Sequence, residues 1–295
     1  MRVAFFGTSA FGAGALHRLV AQDGIDVVCV VSQPDRPAGR GRRTASPPVA
    51  VAAAELGLPL TQSEHASADP PEADAGAVVA FGQILRPPLL GAYPLFNLHP
   101  SVLPRWRGAA PIERALMAGD AETGVAVIEL VTELDAGPVH ALERFAIGPD
   151  DDAGSVAALA LDLGGPRLAA ALRGETTGRP QVGEVTYAAK IAPGDRRIDW
   201  RGPAATILNQ VRALSPHIGA RTELDGRPVT FWKARETVTP AVAVPGTATV
   251  EGAGSLQIAC GVGAVEVLEL QPAGKRRMAA GEYLRGLRAP PARAT

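Results

Sequence analysis

Asn97-Leu98-His99-Pro100-Ser101, continuing through Val102-Leu103-Pro104-Arg105-Trp106-Arg107-Gly108-Ala109-Ala110-Pro111, decides how the rest of the chain is read. Ahead of it, after Gly91, the apolar run Tyr93-Pro94-Leu95-Phe96 has the composition of a buried strand. Side chains two apart on a strand face the same side, so Asn97 and His99 project together. Pro100 and Pro104 stop the ladder and send the chain into an extended loop. Open α/β sheets bind their ligands beyond such strand ends. An amide beside an imidazole suits a carbonyl: the amide donates to the oxygen, and the imidazole moves protons or donates a second bond.

Outward from this stretch, Val3 to Phe6, Val27 to Val31 and Ala77 to Phe81 read as short apolar strands. Gly7-Thr8-Ser9-Ala10-Phe11-Gly12 leads into a helix with Leu16, Leu19 and Val20 inward. Its glycines match neither G-x-G-x-x-G nor a P-loop, so they read as room for strand–helix packing. Pro48 to Leu56 is a helix closed by Gly57, and the backbone of Phe81-Gly82-Gln83-Ile84-Leu85 is a candidate pocket wall. Gly108 to Gly119 makes a helix with Pro111 near its first turn. Val125 to Val131 and Val139 to Phe145 form a hairpin-like pair whose connection carries Asp135 and Gly137. A carboxylate near His99 would favour the imidazolium and hold its orientation, but sequence leaves open whether the two meet. Ser155 to Leu172 is helical, with Gly164-Gly165-Pro166 placed to break or kink it.

The C-terminal part has a different texture. Residues 173–198 are rich in Gly, Thr, Pro and charge, and read as a linker. Ile198-Asp199-Trp200 opens the second part, followed by a helix near Ala204 to Ala213. Short alternating runs at 227–233, 247–250, 255–260 and 264–270, separated by Gly and Pro, predict a small barrel. Residues 201–295 hold 12 Lys+Arg and 7 Asp+Glu, a net +5, so the remainder of the chain carries −6. Such a basic part suits a nucleic-acid partner. The second basic feature is Gln33-Pro34-Asp35-Arg36-Pro37-Ala38-Gly39-Arg40-Gly41-Arg42-Arg43, which reads as an exposed, mobile loop able to order on phosphate. Lys275-Arg276-Arg277 is a third, a basic turn beside the barrel.

With 46% hydrophobic and 20% charged residues the composition is that of a globular chain. No run approaches the roughly 18 apolar residues that span a bilayer. The N-terminus enters a strand at once, without signal-peptide anatomy, so a cytoplasmic protein is expected. Cys29 and Cys260 lie far apart in apolar runs, which predicts buried free thiols and no metal site.

Several motifs together carry a resemblance. Gln33-Pro-Asp-Arg-Pro-Ala-Gly-Arg-Gly, Asn97-x-His99 with Ser101-Val-Leu-Pro-Arg-Trp-Arg-Gly-Ala-Ala-Pro-Ile112, Leu134-Asp-Ala-Gly137, Ile198-Asp-Trp200 and Leu270-Gln-Pro-Ala-Gly-Lys275 span nearly the whole chain. They resemble the methionyl-tRNA formyltransferases, within the wider family of formyltransferases that use 10-formyltetrahydrofolate. The resemblance implies an α/β fold: a Rossmann-like, mostly parallel sheet domain at 1–175, a linker at 176–198, and a small C-terminal β-barrel (OB-like), tRNA-binding, at 199–295. It implies catalytic roles for Asn97, His99 and Asp135. It places 10-formyltetrahydrofolate, a co-substrate, against Ser101, Val102, Leu103 and Pro104, with Phe81, Gly82, Gln83, Ile84 and Leu85 as further wall. It assigns Arg36, Arg40, Arg42, Arg43, Lys275 and Arg276 to tRNA.

The implied activity is formyl transfer to the α-amine of initiator methionyl-tRNA by a monomer, with no metal and no membrane partner. Two other readings share the trio: a formyltransferase for a small amine (a ribonucleotide or amino sugar), or a 10-formyltetrahydrofolate hydrolase. A non-catalytic RNA-binding protein is the reading of another class. The chain departs from the family at Ser9-Ala10, at Pro100, in a short 62–76 connection, and at Pro216-His217-Ile218.

Overall fold

The computed structural model describes residues 1–38, 43–237, 244–252 and 254–295. They form two compact units: Met1–Pro111 with Glu122–Ala146 and Ala157–Ala189, and Ile112–Ala121 with Ile147–Val156 and Lys190–Thr295.

The first unit is built on seven strands in the order Val139–Ala146, Glu122–Glu129, Leu95–His99, Ala75–Val79, Arg2–Gly7, Asp26–Ser32, Leu60–Gln62. The last five run parallel, and the first two join antiparallel. Alternation along the central strand explains its two buried faces. Val3 and Phe5 pack with Leu16 and Leu19 of helix Ala10–Val20 and Val49 of helix Pro48–Glu55, whereas Ala4 and Phe6 join Val31, Val78 and Leu95. A strand buried on both sides reads as an unbroken apolar run, as Val-Ala-Phe-Phe does. Gly7 and Gly12 serve close packing: a Cβ on either would stand 3.0 Å or 2.7 Å from the carbonyl oxygen of Val79.

Helix Ala153–Leu172 runs unbroken through Gly164-Gly165-Pro166, where composition predicts a break or kink. Asp152 caps it, accepting from the N–H groups of Gly154 and Ser155 at 2.9 and 3.0 Å. A Cβ on Gly164 would meet Leu98 at 2.6 Å and Val125 at 2.9 Å, so the glycine lets the helix lie close on the sheet. An interior proline costs about 3 kcal/mol. Burial of Leu161, Leu168 and Leu172, each worth about 1.5–3 kcal/mol, outweighs it. Among the described residues this one helix is long and apolar enough, by length and composition, to cross a membrane, although Asp162 and Arg167 interrupt its apolar run. Half of it is buried within the protein, and its Asp162 pairs with Arg18.

Two stretches differ from their sequence reading. Arg36–Ala38 and Arg43–Ala45 pair as an antiparallel ribbon, so the arginine-rich stretch is in strand form at both ends rather than irregular. Residues 39–42, including Arg40 and Arg42, lie outside the described residues. The expected linker is partly built into the first unit: Tyr187–Ala188 pairs in parallel with Arg107–Gly108.

In the second unit the sheet order is Ala220–Leu224, Arg227–Thr237, Ala264–Pro272, Ser255–Ala259, Ala248–Glu251, with Met278–Ala279 on Ala264–Pro272. The C-terminal segment closes it into a small barrel. Thr295 N–H donates to the Glu223 carbonyl at 3.0 Å, and Ala294 N–H donates to that of Gly246 at 2.7 Å. Trp200 is buried edge-on to Phe231, its Nε1 donating to Thr222 Oγ1 at 2.9 Å. Neighbouring Asp199 is exposed and held at about 2 by hydrogen bonds from Arg201. Cys29 is half-buried and Cys260 buried, and both are free thiols. Desolvation pushes Cys260 up to about 11.

Candidate active site

Strand Leu95–His99 ends at the carboxyl edge of the parallel sheet, with Leu98 turned into the core and Asn97 and His99 on the other side. Both reach Asp135. Asn97 Nδ2 donates to Asp135 Oδ1 at 3.3 Å, and His99 Nδ1 lies 3.7 Å from Asp135 Oδ2. The backbone N–H of Gly108 donates to Oδ2 at 2.8 Å. Strand Leu95–His99 and the segment at Gly108 thus meet on the carboxylate of the Asp135 loop, which at 8% exposure is shielded from bulk water.

Backbone conformation makes this possible. Asp135 adopts φ +48°, a left-handed setting that aspartate tolerates better than most residues. Gly137 is required by space: a Cβ there would fall 1.7 Å from the Glu129 carbonyl oxygen. Trp106, at φ +65°, is a bulky residue in the same region. Its carbonyl meets His99 Nε2 at 2.9 Å. A carbonyl only accepts, so Nε2 carries hydrogen and Nδ1 is the nitrogen turned to Asp135. A proton on Nδ1 would create an imidazolium against a carboxylate, an arrangement suited to moving one proton.

The folate-contact candidates divide. The hydroxyl of Ser101, fully buried, donates to the Arg105 carbonyl at 2.7 Å, and Leu103 packs against Ala126 and Ile128. The Ser101 backbone is engaged as well, its N–H donating to the His99 carbonyl at 2.9 Å. Val102, Leu103 and Pro104 line a cleft of about 250 Å³ with Arg105, Arg144, Val182 and Thr186. In the other expected wall, Phe81 is buried against Phe6, and its carbonyl accepts from Thr8 Oγ1 and Gln33 Nε2. Gln83 bonds to Ser63 and Ala66, Leu85 packs on the core beside it, Gly82 has φ +76°, and Ile84 is exposed.

Of the arginines, Arg36 is exposed on its ribbon, and Arg43 begins the second ribbon strand. Lys275 is exposed. Arg276 pairs with Glu282, while Arg277 pairs with Glu269 and lies 5.0 Å over the Trp232 ring. Sequence reasoning missed Trp106 and Gly108 as partners of the trio. Their motif was visible, but a carbonyl or an N–H in the right place leaves no residue-type signal.

Residues 1–172 match the model of the family described as formyl transferase, and residues 190–288 match formyl transferase, C-terminal domain. The chain belongs to the formyl transferase family. Among its curated relatives, the methionyl-tRNA formyltransferase of Paracoccus denitrificans is 44% identical over 98% of this chain and 99% of its own. That of Methylococcus capsulatus is 42% identical over 96% of both. Solved structures share the fold at lower identity. HypX from Aquifex aeolicus in complex with tetrahydrofolic acid gives a TM-score of 0.64 at 19% identity, covering 97% of this chain, which spans about half of HypX (48%). An N-formyltransferase from Helicobacter canadensis, bound to folinic acid and dTDP-3-aminofucose, gives 0.66 at 15% over 92% of this chain and 98% of its own.

Proposed function

We propose that this formyl transferase moves the formyl group of 10-formyltetrahydrofolate onto the α-amine of initiator methionyl-tRNA, acting as a cytoplasmic monomer. One observation carries the chemistry: Asn97 and His99 converge on the Asp135 carboxylate within 3.3 and 3.7 Å. Full-length likeness to methionyl-tRNA formyltransferases supports the choice of acceptor.

The neutral amine attacks the formyl carbon, forming a new C–N bond and placing negative charge on the former carbonyl oxygen. Asn97 donates its second amide N–H to that oxygen, an effect of about 3–4 kcal/mol for a well-placed donor, while His99, with Nδ1 facing Asp135, serves the path of the proton. The bond from the formyl carbon to N10 then breaks. The proton lost by the amine passes to N10, with Asp135 holding His99 and a water completing the path. The backbone around Ser101 to Pro104 and from Phe81 to Leu85 flanks the folate. Arg36, with Arg40, Arg42 and Arg43 of the same stretch, and Lys275 and Arg276 contact tRNA phosphates, as cations do.

The test is one assay with three acceptors beside 10-formyltetrahydrofolate: methionyl initiator tRNA, glycinamide ribonucleotide and an amino-sugar nucleotide. Formyl transfer to the tRNA alone, with an apparent affinity that falls as salt rises, is the expected result. Transfer to either small amine, or hydrolysis without an acceptor, overturns the reading.

A further inference from the structure

The stretch that reads as a linker grips both loops of the site. Trp106 N–H donates to Thr186 Oγ1 and Arg107 N–H to the Thr186 carbonyl, each at 2.9 Å. The Ala188 carbonyl accepts from Ala109 N–H at 2.9 Å and Ala110 N–H at 3.3 Å. The loop carrying Asp135 is held by one side chain of the same stretch, Gln181. Its Nε2 donates to the carbonyls of Asp135 at 2.7 Å and Gly137 at 2.9 Å. Its Oε1 accepts from Arg107 Nε at 3.2 Å and Nη2 at 2.8 Å. Arg107 is itself buried, at 7% exposure, and its Nη1 donates to Glu133 Oε1 at 3.1 Å.

A primary amide has two N–H donors and an oxygen with two lone pairs. Here all four are used. Turning the amide over would set its oxygen against two carbonyls and its nitrogen against a guanidinium, so the arrangement allows one orientation. One of the two carbonyls held belongs to the residue whose backbone is in the left-handed region, and the other to the residue two further along. Left-handed settings of non-glycine residues cost about 1–3 kcal/mol and persist where surrounding contacts over-determine them. Gln181 supplies two such contacts, and Arg107 fixes the supplier.

We infer that Gln181 is a positioning residue for formyl transfer: its amide, clamped by Arg107, holds the carbonyl of Asp135 and the turn that follows it, and so aims the carboxylate at Asn97 and His99. The inference rests on the role proposed for Asp135.

The experiment compares Gln181→Met, Arg107→Lys and Asp135→Asn, alone and in the pairs that include Asp135→Asn, with the full-length protein. Formyl transfer is followed at saturating 10-formyltetrahydrofolate and methionyl-tRNA, and KM is measured for each, with thermal unfolding as the check on folding. Gln181→Met loses both donations without adding charge. It lowers kcat by about 10- to 100-fold, the cost of a carboxylate displaced by about 1 Å, while both KM values stay near wild type. Arg107→Lys keeps a cation but not the fork, and lowers kcat by less. On the Asp135→Asn background neither causes a further loss, because groups acting as one unit are not additive. Should Gln181→Met fail to fold, Arg107→Lys with Asp135→Asn completes the same cycle. Wild-type kcat in Gln181→Met beside a slow Asp135→Asn overturns this inference alone, as do losses that multiply or a rise in KM at constant kcat. A fast Asp135→Asn overturns the role of Asp135 and this inference with it.

Discussion

Asp135 and Arg36 stand in opposite surroundings. The carboxylate of Asp135 is nearly covered and meets Asn97, His99 and Gly108, and its own backbone is tied to Gln181. Arg36 lies exposed on a two-stranded ribbon, and Arg276, with a side chain 73% exposed, pairs with an acid on the surface. The contrast fits the roles proposed for each. A group that handles a proton has to be held within about half an ångström of its place before substrate arrives. A group that meets a phosphate acts through a field reaching about 10 Å in dilute salt, and tolerates loose placement. Rigidity surrounds the carboxylate proposed for the chemistry. Loosely held charge lies on the residues proposed to meet tRNA.

That division can be broken by experiment. The largest effect belongs to the covered carboxylate. Asp135→Asn keeps the size and Asn97's partner oxygen but removes the charge opposite His99, and turnover falls by about 10²–10⁴-fold while tRNA affinity, measured by filter binding, is unchanged. Near-normal turnover in this variant would remove Asp135 from the mechanism. Next comes the support behind the site. Gly164→Ala drives a methyl into Leu98, the residue between Asn97 and His99, and overpacking of this kind costs about 1–3 kcal/mol, read by thermal or urea unfolding. An unchanged unfolding midpoint would mean that helix and sheet have slack between them. The smallest effect falls on the exposed arm. Arg36→Ala weakens tRNA binding several-fold, lowers the slope of log affinity against log salt by about one, and leaves kcat at saturation intact. A fall in kcat with unchanged salt dependence would place Arg36 in the chemistry instead.

Much of this was legible before any coordinates. Asn97 and His99 could be paired because a strand has a period of two, and Asp135 stood out as an acid in a glycine turn within a recognisable motif. What stayed hidden depends on tertiary approach. Gln181 sits in a stretch with no periodicity, so nothing in its neighbours tells that its amide bridges Arg107 to the Asp135 loop. Pro166 argues locally for a break, but packing of helix Ala153–Leu172 against the sheet overrides it. Ser101 and Leu103 belong to the motif that points to folate, yet which side chain of an irregular loop turns inward follows no repeating rule. A cap and an alternating strand are written locally, whereas a backbone carbonyl brought to an imidazole is a property of the finished fold.

The last four residues of the barrel matter beyond closure. Ala292–Thr295 hydrogen-bonds to Ala220–Leu224 on one side and to the start of Ala248–Glu251 on the other. Each of those strands ends the sheet, and an uncovered end strand offers a row of free N–H and C=O groups to any extended chain it meets. One short segment therefore occupies two adhesive edges at once. A cut just before Ala292 would bare both, and the protein would then be at risk of sticking to copies of itself.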